Sequence, residues 1–139
     1  MRILVLTAFI CLFTTPSIAS ESVATEIKEI INTKSGIKYT SYREGTGASP
    51  GPSDSVSVNY RGTLPNGREF DSSYKSGRPV QFSLDKVIKC WTEGLQLMKV
   101  GGKAELECPS KLAYGDAGVP GSIPPFSSLI FEIELLDVR

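Results

Sequence analysis

Residues 80–108 read VQFSLDKVIKCWTEGLQLMKVGGKAELEC, and the period of their apolar positions changes twice. Val80 to Leu84 suits a strand. Trp91, Leu95 and Met98 then fall at i, i+4 and i+7, which lays one apolar stripe of a helix on a sheet, and Gly101-Gly102 closes the element. Lys103 to Cys108 alternates again, with Ala104, Leu106 and Cys108 facing one way, until Pro109 breaks the ladder.

Working outward, the flanking segments carry the same two-residue period. Upstream, Asp54 to Thr63 places Val56, Val58 and Tyr60 on one face and Ser57, Asn59 and Arg61 on the other, as a half-buried antiparallel strand requires. Pro65-Asn66-Gly67 turns the chain, because Asn-Gly accepts the positive φ angles of a tight turn, so Glu69-Phe70-Asp71 returns as a strand. Ile37 to Glu44 reads as a further strand before the loop Gly45 to Pro52. Downstream, Leu129 to Val138 points Leu129, Phe131, Ile133 and Leu135 inward and keeps Glu132 and Glu134 wet. Antiparallel strands and one helix, in an order that is not βαβ, define an α+β domain whose sheet covers one side of that helix.

The N-terminal part reads differently. Arg2 followed by the apolar run Ile3 to Phe13 has signal-peptide proportions and is too short to span a bilayer as an anchor, while Ser17-Ile18-Ala19 supplies small residues for cleavage after Ala19. The expected organisation is a signal peptide over 1–19, a short helical extension over 20–35 and one globular domain over 36–139. The helix is expected between Ser22 and Ile31, where Val23, Ile27, Ile30 and Ile31 recur at helical spacing; being only about ten residues long, it must dock on something. With so little chain ahead of the domain, the expected state is a monomer.

Composition excludes several functions. Fifteen basic and fifteen acidic side chains balance, and no basic cluster stands out, which leaves no electrostatic footprint for nucleic acid or anionic lipid. The chain has no histidine, so imidazole catalysis and nearly all catalytic zinc sites drop out; neither metal nor cofactor is expected. Of three cysteines, Cys11 leaves with the signal. Cys90 at the helix start and Cys108 at the end of a neighbouring strand remain, as a stapling disulfide or as two free thiols. Their spacing does not suit a redox enzyme.

The candidate chemistry gathers around a Pro/Gly-dense loop holding Leu112-Ala113-Tyr114-Gly115 and Val119-Pro120-Gly121-Ser122-Ile123-Pro124-Pro125. Singly, Tyr60, Phe70, Phe82 and Phe131 are as well explained by packing, and Asp71 beside Ser72-Ser73 by turn capping. Taken in order, however, Asn66-Gly67 with Phe70-Asp71-Ser72-Ser73, Val87-Ile88 with Trp91-Thr92-Glu93-Gly94, Leu112 to Gly115, and Ile123-Pro124-Pro125 with Leu129 to Asp137 resemble the FK506-binding-protein (FKBP) type of peptidyl-prolyl isomerase from Gly36 to Arg139. The chain departs from that pattern at Ser76, Val80 and Ser122, and at Cys90, where glycine is common.

The resemblance implies a bent antiparallel sheet wrapped around one short α-helix, with a pocket between them. By it, Trp91 forms the floor, Tyr60, Phe70, Phe82 and Phe131 the walls, and Val87 and Ile88 the entrance; Tyr114 and Ile123 come from the opposite loop. Asp71 is expected to be the buried polar member, and Asp71, Tyr114, Phe70 and Phe131 are the expected catalytic residues. The implied activity is rotation of X-Pro bonds in exported or unfolded polypeptides, in the periplasm or a secreted setting, with macrolides such as FK506 as inhibitors. A non-catalytic chaperone using the same pocket is the competing reading.

Overall fold

The computed structural model describes residues 26–139, so the signal segment and the first part of the expected helix lie outside the described residues. Seven strands form one antiparallel sheet: β1 (Glu29–Asn32), β2 (Lys38–Arg43), β3 (Ser55–Thr63), β4 (Glu69–Ser72), β5 (Val80–Ser83), β6 (Lys103–Cys108) and β7 (Leu129–Val138). The spatial order is β1-β2-β6-β7-β3-β4, and β5 also pairs with β3. β4 and β5 thus share one edge of β3: β4 pairs with Arg61 to Thr63 and β5 with Ser55 to Val58. Between those two partners the Tyr60 backbone N–H donates to Ser73 Oγ at 2.9 Å, so the gap leaves no orphan donor there.

The alternating patterns translate into burial as expected. Val56, Val58 and Tyr60 on β3, Ala104, Leu106 and Cys108 on β6, and Leu129, Phe131, Ile133 and Leu135 on β7 all face the core. The one α-helix among the described residues, α1 (Lys89–Gly94), packs against this face. It is shorter than its apolar stripe. The chain tightens into a 3₁₀ turn over Leu95–Leu97, and Met98 is already extended, though Leu95 and Met98 remain buried. Gly94 lets α1 approach β6 closely: a Cβ there would stand 2.6 Å from Leu106 Cδ1. Cys90 and Cys108 are disulfide-bonded, which joins the start of α1 to the end of β6 and resolves the alternative left open by the sequence.

The N-terminal helix is a correction. Glu26 to Lys28 have no regular structure and Glu29–Asn32 is strand β1, paired antiparallel with Lys38 to Ser41 of β2. A helix of about ten residues is marginal in water, whereas the free edge of β2 offers backbone partners and β-branched Ile30 and Ile31 suit a pleated edge. Ile27 and Ile30 stay exposed. No helix among the described residues is long and apolar enough to cross a membrane.

Candidate active site

The pocket is a gap between the concave sheet face and α1, and its aromatic side chains are placed by strand alternation. Tyr60 projects inward from β3, Phe70 comes from β4, Phe82 from β5 and Phe131 from β7. Tyr60, Phe82 and Phe131 meet Trp91, on α1. The indole is 4% exposed, and its ring centre lies 5.1 Å from Tyr60, 5.2 Å from Phe82 and 5.3 Å from Phe131, each edge to face. Phe70 meets Phe131 in the same geometry at 5.6 Å. Edge-to-face packing lets each ring hold its neighbour's orientation, so the wall is rigid without being solid. What remains open is a hollow of about 450 Å³.

Nine of the ten expected site residues border this hollow: the five rings with Asp71, Val87, Ile88 and Tyr114. Ile123 does not. It is 5% exposed, held by a backbone bridge to Val119, and borders a separate surface hollow beside Arg68 and Pro120 to Pro125. The loop turns so tightly at Gly118, φ +59°, that a Cβ there would fall 2.3 Å from the Ile123 carbonyl oxygen, and the strand-like bridge sends the isoleucine into the core. The Arg68 guanidinium fastens this loop from outside by donating to the Ser122 carbonyl at 2.7 Å.

Asp71 is also corrected. It is exposed, not buried, because β4 is an edge strand and the carboxylate sits at the pocket rim. Its position is nevertheless fixed: Tyr60 Oη donates to Oδ2 at 2.6 Å and the Ser72 backbone N–H to Oδ1 at 2.9 Å. Burial raises the Tyr60 phenol well above its ordinary pKa, and the Asp71 carboxylate accepting its proton raises it further, so Tyr60 stays a neutral donor at physiological pH.

Two donors at the mouth are unengaged. Ile88 precedes α1 with φ −57° and ψ 147°; its carbonyl accepts from the Trp91 and Thr92 N–H groups, while its own N–H finds no acceptor among the described residues. Tyr114, 43% exposed on the facing loop, likewise offers a hydroxyl without a protein partner among the described residues. The Trp91 Nε1–H is different: it is buried and has no hydrogen-bond partner among the described residues.

Two residues were missed by sequence reasoning. Gly62 lies inward on β3, where a Cβ would stand 2.6 Å from Phe70 Cζ and 3.0 Å from Phe131 Cε1, so its bareness makes room for the rings. The signal was a glycine at the next inward position after Val56, Val58 and Tyr60. Lys86, ending the 3₁₀ turn Leu84–Lys86, is the only cation among the residues bordering the hollow. No group of three or more potential metal-ligating residues occurs among the described residues.

An antiparallel sheet bent over one short helix, with a ring-lined hollow between them, defines the class as the FKBP-like α+β fold. Residues 47–136 match the family of FKBP-type peptidyl-prolyl cis-trans isomerases, and the chain belongs to that family. It is 53% identical over 112 residues to the FKBP-type peptidyl-prolyl cis-trans isomerase FkpA of Escherichia coli K12, an alignment covering 81% of this chain and 41% of FkpA. A probable FKBP-type isomerase of Haemophilus influenzae is 50% identical, with 81% of this chain and 46% of that protein covered. The chain therefore spans less than half the length of either relative. Among solved structures, E. coli FkpA superposes with a TM-score of 0.77 at 52% identity, covering 81% of this chain and 52% of that one. AtFKBP13 superposes at 0.73 with 34% identity, covering 81% of this chain and all of AtFKBP13.

Proposed function

We propose that the chain is a peptidyl-prolyl cis-trans isomerase acting on proline-containing segments of unfolded or newly exported polypeptides. The observation that carries this is the pairing of a rigid aromatic hollow with two unengaged donors at its mouth. Rotation about an X-Pro bond faces a barrier of roughly 18 to 20 kcal/mol, set by amide resonance. No covalent bond is made or broken, so a catalyst needs only to bind the twisted amide more tightly than the planar forms. The ring walls take the pyrrolidine by shape and exclude water, which otherwise favours the more dipolar planar amide at its carbonyl oxygen. The Ile88 N–H and Tyr114 hydroxyl hold substrate carbonyls, and Asp71, fixed by Tyr60 and Ser72, orients the reacting region electrostatically. Phe70 and Phe131, packed edge to face, complete the ring wall.

The same cavity suits macrolide inhibitors such as FK506. The Met1 to Ala19 pattern supports export with cleavage after Ala19, and the periplasm is the proposed setting in preference to secretion. An isomerase assay on proline peptides tests the reading. Asp71→Ala and Tyr114→Phe are expected to lower kcat/KM about tenfold or more, corresponding to about 1.4 kcal/mol of transition-state binding per tenfold. Wild-type rates in both variants would refute the assigned roles, and an inactive wild type would refute the function.

A further inference from the structure

The basic side chains of the sheet surface are mostly engaged. Arg43 reaches Glu134 at 3.1 Å, Arg61 and Lys75 share Glu69 at 2.7 and 3.3 Å, and Lys103 reaches Glu132 at 2.9 Å. Lys86 is one of several basic residues without an ion pair among the described residues, and it is the one that stands on the border of the hollow, beside Val87 and Ile88, where the free backbone N–H is found. The two nearby carboxylates are committed elsewhere: Asp71 accepts from Tyr60 and Ser72, and Asp85 Oδ1 accepts from Ser83 Oγ at 2.6 Å.

A cation free of a direct ion pair beside an apolar cavity acts further than one on an open surface, because low-dielectric walls focus its field across the opening. A peptide held by its carbonyl at the Ile88 N–H would place the side chains next to its proline at the same rim as Lys86. We propose that Lys86 is a specificity-determining residue, giving preference to prolines flanked by aspartate or glutamate. Resting on the isomerase reading, this names the substrate class of the same site. The turn Leu84–Lys86 presents the lysine firmly, since the Leu84 N–H donates to the Asp54 carbonyl at 2.9 Å and the Thr92 hydroxyl donates to the Leu84 carbonyl.

The test uses exchange NMR on capped tetrapeptides identical except for Glu or Gln immediately before or after proline, with affinity read from chemical-shift titration in the same samples. At low ionic strength, one Glu peptide is expected to be isomerised two- to fivefold more efficiently than its Gln partner, the range of an exposed ion pair. The ratio should fall towards one in about 0.5 M salt, where the Debye length is a few ångströms. It should vanish in Lys86→Met and invert in Lys86→Glu. Equal handling of Glu and Gln peptides by the wild type, or a ratio surviving in Lys86→Met, overturns the proposal. If no peptide exchange is accelerated, the isomerase reading fails, while the Glu-to-Gln affinity ratio still decides whether Lys86 selects carboxylates.

Discussion

Opening the Cys90–Cys108 bridge is expected to lower stability by about 3 kcal/mol without abolishing the fold. The figure follows from the 18-residue separation of the two cysteines, because freeing a loop of that size restores conformational entropy to the unfolded chain. For a domain of this size the urea slope is about 1 to 1.5 kcal/mol/M, so the midpoint should fall by about 2 to 3 M. The natural comparison is oxidised protein against protein reduced in denaturant and refolded with reductant, which keeps both sulfur atoms and avoids the cavities that Cys90→Ala and Cys108→Ala would leave. Trp91, the chain's only tryptophan, lies beside Cys90 and reports unfolding by fluorescence, while circular dichroism follows the sheet. Both sulfurs belong to fully buried residues, so reductant without denaturant should leave the bridge intact, since attack requires α1 to lift from β6. Isomerase activity should persist in 2 M urea for the oxidised form and be lost for the reduced one. Coincident urea midpoints, with free thiols verified in the reduced sample, would refute the reasoning.

Three further outcomes are expected. Gly62→Ala drives a methyl group into Phe70 and Phe131 and should cost about 1 to 3 kcal/mol in urea unfolding while reducing kcat/KM; an unchanged rate would show that the wall tolerates displacement. Ser73→Ala removes the acceptor for the Tyr60 N–H and should destabilise by about 1 to 3 kcal/mol, since that donor then stays buried and unsatisfied. Because the folded-state pKa of Tyr60 is raised, its contribution to stability is complete below the ordinary tyrosine value near 10 and declines as pH climbs beyond it towards the raised value. Urea midpoints measured from pH 8 to 11 should therefore fall less steeply in Tyr60→Phe than in the wild type, and parallel curves would exclude the coupling.

Much of the sheet was legible because burial on one face imposes a two-residue period, which Val56-Val58-Tyr60 and Leu129-Phe131-Ile133-Leu135 display without interruption. The ring set was legible only through the family resemblance, since singly each ring is equally well explained by packing. What escaped depends on contacts distant in sequence. The close approach of α1 to β6 depends on Gly94 against Leu106, and β1 on the free edge of β2, neither of which periodicity records. Asp71 was expected inside, yet edge-strand placement leaves it at the rim. Ile123 was assigned to the pocket by the resemblance, whereas in the structure it borders a separate hollow beside Arg68. The disulfide was one of two open alternatives, and only the packing of α1 on β6 decides between them.

The divided edge of β3 has an evolutionary consequence. Because β4 and β5 each pair with their own part of that strand, the exposed segment Tyr74 to Pro79 is a bridge fastened at both ends rather than part of the ladder. Inserted residues there would cost little, since closure entropy grows only slowly with loop length. Length can therefore vary there while β4 and β5 keep their register on β3.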